Sequence, residues 1–137
     1  LLKQRLIHPE ILDALASAGH GARVLIADGN YPVSTRIGDN AQLVFLNLAP
    51  GKLTVTEVLD IILTAIPVED AIVMETNDGV EPKIYQEFRS LLPNMPLTVL
   101  PRYEFYEEAS SEDTCLVIAT GEGRIYANIL LTIGVVT

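Results

Sequence analysis

The chain holds two histidines, and one of them, His20, stands between glycines in Gly19-His20-Gly21. Histidine is the side chain whose ordinary pKa lets it give or take a proton near neutral pH. Eight residues on, past the apolar run 23–27, the chain presents Asp28. A carboxylate can bind a ring N–H and fix the tautomer and orientation of an imidazole. The turn and strand between them are expected to bring His20 and Asp28 within reach. A second polar stretch follows much later, Thr120-Gly121-Glu122-Gly123-Arg124-Ile125-Tyr126-Ala127-Asn128. Its Tyr126 offers a phenol that can donate to, or exchange a proton with, a ligand oxygen. Asn128 offers donors and an acceptor together, which suits vicinal hydroxyls. Glu122 adds a carboxylate. Arg102, just after Pro101, supplies a planar fork for hydroxyls or a carboxylate. Tyr106 supplies an aromatic face on which a ring could lean.

Each of these residues has a purely structural alternative. His20 could serve only the negative end of a helix. Asp28 opens Asp28-Gly29-Asn30-Tyr31-Pro32, which is turn chemistry in its own right. Arg102 could pair with Glu104, Glu107 or Glu108, and Tyr106 could be packing. The Glu122–Asn128 stretch could be a polar loop leading into a core strand. Other chemistries find no support. Two histidines without paired cysteines do not make a structural zinc site. The Gly-Lys-Ser/Thr of a phosphate loop and the full dinucleotide fingerprint are missing. Cys115 lies inside an apolar run with no histidine beside it, and no spacing among Asp28, Glu57, Glu75, Asp78 and Glu81 singles out a metal site.

The elements that must position these groups are readable from periodicity. Residues 9–18 predict a helix, with Pro9 in the first turn and Gly19 as its left-handed cap. Residues 23–27 predict a strand covered on both faces. Residues 42–48 are either a strand or an irregular apolar segment. Thr54 and Glu57 form a capping box ahead of apolar positions at helical spacing. Further strands are expected at 71–74, 97–100, 115–119 and 128–133, and helices at 82–92 and 103–109. Strands alternating with helices predict one α/β domain over residues 1–137, three layers around a mostly parallel sheet flanked by helices. The apolar closing run, 129–136, is expected to lie centrally in the sheet or under another subunit.

Composition narrows the partners. A hydrophobic fraction of 49% supports a real core, and a net charge of -9 disfavours nucleic acid and anionic membranes. The single cysteine, with no signal-peptide pattern and no apolar run of spanning length, leads to the expectation of a cytoplasmic protein.

Read in order, the chain resembles the sugar mutarotases, the family comprising D-ribose pyranase and L-fucose mutarotase. The matching words are Gly19-His20-Gly21, Ala27-Asp28-Gly29-Asn30-Tyr31-Pro32, Arg102-Tyr103-Glu104-Phe105-Tyr106-Glu107, Thr120-Gly121-Glu122 and Tyr126-Ala127-Asn128-Ile129. The resemblance implies interconversion of the anomers of a free aldose such as L-fucose, without metal or coenzyme. It implies His20 as principal acid/base, Asp28 as its support, and Tyr126 among the groups that hold the sugar; one imidazole cannot easily serve both oxygens, so Tyr126 or a water is expected as the second proton-transfer group. It implies Arg102, Tyr106, Asn128 and Glu122 as sugar-binding groups. Arg102 with Phe105-Tyr106 resembles the fucose branch, since the ribose branch commonly carries a histidine at that position. The resemblance further implies a homo-oligomer, a decamer of stacked pentamer rings with sites across subunit boundaries. The alternatives are a ribose pyranase, a sugar-binding accessory protein without turnover, and a purely structural ring protein.

Overall fold

A computed structural model of the chain describes residues 1–137 and contains six strands and four helices. Helix α1 (Pro9–Ser17) starts where proline at its first position and His8 at its cap place it, with His8 Nδ1 accepting from Ile11 N at 3.4 Å. Its end departs from expectation. Ala18 caps the helix in an extended conformation, and the left-handed residue is Gly21 at φ +87°, not Gly19. The sharp turn therefore falls after His20 and leads directly into β1 (Arg23–Ala27), whose Val24 to Ala27 are buried on both faces.

The ambiguous segment 42–48 resolves into β2 (Gln42–Phe45). Helix α2 (Val55–Ile62) carries the expected capping box: Glu57 N donates to Thr54 Oγ1 at 3.3 Å and Thr54 N donates to Glu57 Oε1 at 3.0 Å. Strand β3 (Val68–Met74) begins three residues before its apolar run, because Val68 and Asp70 pair with the final strand. The rest are α3 (Ile84–Leu91), β4 (Leu97–Leu100), α4 (Arg102–Ala109), β5 (Thr114–Ala119) and β6 (Ile129–Ile133).

The sheet order is β2-β5-β1-β6-β3-β4. β1 runs parallel to β5, β5 to β2, and β3 to β4, while β6 is antiparallel to both β1 and β3. Five strands thus point one way and β6 the other, a mixed, mostly parallel sheet. The apolar closing strand is central, so its burial is explained within one chain. Alternate strand residues divide the interior in two. Helices α1, α2 and α3 cover one face through Ile11, Val58, Leu59, Ile62, Ile84 and Phe88 against Val24, Ile26, Ile118 and Leu131. Helix α4 and the 31–41 segment cover the other through Tyr31, Phe105, Tyr106 and Ala109 against Leu25, Val117 and Leu130. No helix is long and apolar enough to cross a membrane.

The strand directions decide what can meet. The C-terminal ends of β1 to β5 and the start of β6 share one edge, where sites form in open α/β sheets. The residues before β1, at the start of β3 and at the end of β6 share the opposite edge.

Candidate active site

Asp28 leaves β1 at the C-terminal edge and is buried. Its Oδ1 accepts from Asn30 N at 2.9 Å and its Oδ2 from Ala127 N at 3.1 Å. Its own N–H donates to Asn128 Oδ1 at 2.7 Å. These bonds staple the exit of β1 to the entry of β6. Burial raises the Asp28 carboxyl above its ordinary value; the backbone N–H groups of Ala127, Asn30 and Tyr31 oppose the rise, and the nearby Glu122 charge adds to it. With Oδ1 of Asn128 committed to an N–H, its Nδ2 remains a donor for another partner.

Tyr126 sits in the left-handed region at φ 57°. For a tyrosine that conformation costs of order 1–3 kcal/mol and persists only where the surroundings over-determine it. The hydroxyls of Tyr31, Tyr85 and Tyr106 are bonded within the chain, whereas those of Tyr103 and Tyr126 are not. The Tyr126 phenol is therefore available to a ligand.

Helix α4 places Arg102 and Tyr106 one turn apart, so that Arg102 Nε donates to the Tyr106 hydroxyl at 3.0 Å. That bond is the main reason the guanidinium is held above its ordinary value. The Tyr106 ring is faced by Arg102 at 5.5 Å and by Arg36 at 5.4 Å, and it meets Tyr31 edge-on at 5.5 Å. Tyr31 in turn donates to Arg36 O at 2.7 Å, and burial pushes its phenol well up.

Together these groups line a cavity of about 240 Å³, bounded by Asp28, Asn30, Tyr31, Met74, Arg102, Tyr106, Ile125, Tyr126 and Asn128. It brings together five of the seven residues expected from the sequence. The lining mixes polar donors and one carboxylate with Met74, Ile125 and aromatic rings. That is the arrangement for a small polyhydroxylated ring, whose hydroxyls take the donors and whose C–H face takes the aromatics.

Two expected residues lie elsewhere. Glu122 lines a neighbouring, larger cavity of about 480 Å³, walled mainly by the 47–50 loop and glycine backbone and touching the first only through Asn30. Its carboxylate is buried and taken by Arg124, whose Nε and Nη2 donate at 3.2 and 2.8 Å. Burial works to raise that carboxyl, but the Arg124 bonds outweigh it and hold Glu122 below its ordinary value.

His20 is the larger correction. It does not meet Asp28. It stands at the opposite edge of the sheet, exposed, with Nε2 at 2.9 and 3.0 Å from the two carboxylate oxygens of Glu69 on β3. The five residues of β1 lie between His20 and Asp28, about 17 Å of extended chain. The physical reason is direct: a straight strand carries the chain away from its start, and nothing after β1 folds back. An imidazole held by a carboxylate is present, but the carboxylate is Glu69.

Sequence reasoning also missed Tyr31, Asn30, Arg36, Met74 and Ile125. Tyr31 and Asn30 follow Asp28 so closely that a turn at a strand's C-terminal end could have exposed them. Arg36 lies outside the pocket lining and reaches the Tyr106 ring from a loop no pattern describes, and Met74 looks like any strand-end apolar residue. No cluster of three or more His, Cys, Asp or Glu side chains is arranged to hold a metal ion.

The family described as the RbsD / FucU transport protein family matches residues 1–136. Fucose mutarotase of Mus musculus is 30% identical, over 95% of this chain and 90% of its own length. D-ribose pyranase of Geobacillus kaustophilus is 29% identical, over 97% of this chain and 93% of its own. The fucose mutarotase of Streptococcus pneumoniae, solved in complex with L-fucose, superposes with a TM-score of 0.85 at 30% identity, each chain covered completely. RbsD of Bacillus subtilis, solved with D-ribose, shares the fold with a TM-score of 0.86 at 24% identity, again over both full chains. The two kinds of relative stand at similar identity, so these likenesses give no lean toward the fucose branch.

Proposed function

The chain belongs to the RbsD/FucU family, and on that premise we propose that it is an isomerase that opens and recloses the hemiacetal ring of a free monosaccharide. The observation that carries this reading is the convergence of Asp28, Arg102, Tyr106, Tyr126 and Asn128 on one cavity at the C-terminal edge of the sheet. Ring opening removes a proton from the anomeric hydroxyl and delivers one to the ring oxygen. The open aldehyde then rotates, and the reverse steps close the other anomer. Asn128 Nδ2 and the Arg102 guanidinium hold hydroxyls. In this reading the unbonded Tyr126 phenol gives the ring-oxygen proton. General acid–base assistance is worth roughly 10²–10⁴ in rate, and the spontaneous reaction is easy enough for a small site to suffice.

His20 enters this scheme from a second copy of the chain. Its own pocket is out of reach across β1, so the imidazole and its Glu69 partner serve the pocket of a neighbour in a ring-built homo-oligomer, a decamer of stacked pentamers. The sugar we propose is L-fucose, on the strength of Arg102 at the mouth of α4. D-ribose is the second reading, supported by relatives of that activity at 27–29% identity. Saturation-transfer NMR of the anomeric protons separates them. Faster exchange of L-fucose than of D-ribose on adding protein is the expected result. Preference for ribose selects the second reading, and unchanged exchange across a panel of aldoses rejects both.

A further inference from the structure

The 123–126 bridge joins β5 to β6, and no backbone–backbone hydrogen bond engages it. It is anchored at its ends, where Gly29 N donates to Glu122 O at 2.9 Å and Ala127 N donates to Asp28 at 3.1 Å. Between those anchors the tether is Arg124. Its backbone N–H donates to Glu122 Oε2 at 3.3 Å, and its guanidinium donates twice to the same buried carboxylate. The far side of the guanidinium bonds the Glu87 carboxylate of α3 through Nη1 and Nη2. A planar fork with five donors can hold two carboxylates at once in a way an ammonium cannot. Arg124 thus ties the bridge to helix α3. Two residues further on stands Tyr126, in a backbone conformation that tyrosine abandons when nothing imposes it.

We infer that Arg124, held between Glu122 and Glu87, is a positioning residue that fixes the 123–126 bridge and so sets the Tyr126 phenol in the sugar pocket. Arg124 and Glu87 line no part of that pocket themselves. The inference rests on reading the pocket as the mutarotase site.

Glu87→Gln is the cleanest test, because it cuts the helix anchor on the surface and leaves the buried Glu122–Arg124 pair intact. Arg124→Gln and Arg124→Lys accompany it. In Glu87→Gln the sugar KM rises and kcat falls, together lowering kcat/KM about 10-fold, the scale of a slightly misplaced group, while the melting temperature stays near that of the parent. Arg124→Gln loses more, and Arg124→Lys recovers only part. Backbone hydrogen exchange at Arg124 and Ala127, the hydrogen-bonded amides of this stretch, accelerates in Glu87→Gln and Arg124→Gln. Parental KM and kcat in Glu87→Gln, or unchanged hydrogen exchange there, overturns the inference. If the parent protein itself leaves anomer exchange unaltered, the proposed function falls, and the hydrogen-exchange comparison alone decides whether Arg124 holds the bridge.

Discussion

Asp28 and Glu122 are two buried carboxylates on one edge whose protonation is pushed in opposite directions. Asp28 is raised by burial, so the folded chain holds that proton more tightly than the unfolded chain. Its contribution to stability is fully present below the ordinary carboxylate range and is lost as pH rises through the elevated value. Glu122 is lowered by Arg124, so its contribution is present above the ordinary range and is lost as pH falls through the depressed value. Chemical denaturation across acid pH should therefore show a flatter fall with rising pH in Asp28→Asn. Glu122→Gln should lack the parent's loss of stability at the acid end. At His20 the expectation is catalytic. His20→Ala should remove most of the rate acceleration, up to roughly 10²–10⁴, and Glu69→Gln should lower it less, with both proteins folded by circular dichroism. Unaltered anomer exchange in His20→Ala would place the chemistry elsewhere. The residue types were legible in the sequence: a histidine beside a carboxylate, a phenol and an amide. The pairing was not, because Glu69 is brought to His20 by a sheet register that local spacing does not encode.

Elements were far more legible than partnerships. The apolar runs and helical spacings, the Thr54–Glu57 box and the prolines placed every helix and five of the six strands to within a few residues, and left 42–48 open between a strand and an irregular segment. Direction was the hidden variable. Nothing in the run 129–133 tells an antiparallel strand from a parallel one, yet β6 runs against its five companions and so brings Asn128 to Asp28. Close backbone approach between β5's exit and the 49–52 loop also makes Gly121 hard to replace. A Cβ on Gly121 would lie 2.3 Å from Lys52 O and 2.5 Å from Ala49 O. Gly121→Ala should cost about 1–3 kcal/mol, as overpacking against backbone does, measurable as a fall in the denaturation midpoint. Thr54→Ala removes the cap of α2 and should cost about 1 kcal/mol. It lies outside the pocket, so anomer exchange per folded molecule should hold at the parental rate.

For the whole molecule, the separation of His20 from Asp28 makes a prediction about assembly. Protein carrying only His20→Ala and protein carrying only Asn128→Ala should each be nearly inactive. Refolded as a mixture, they should regain activity, because some pockets then combine an intact His20 with an intact Asn128 from different chains. Mixtures no more active than their components would show that the imidazole does not cross between copies. The mixed sheet carries one more consequence. Since β6 is the seam between the β2-β5-β1 half and the β3-β4 half, the two halves share no strand-to-strand hydrogen bonds while residues 129–133 are still to be synthesised. Stalled nascent chains ending before Ile129 should thus be open to protease throughout, and those extended past Ile133 and clear of the ribosome should become resistant in a single step. Birth of the protein is in this sense all at once: its pocket closes with the same strand that welds the scaffold.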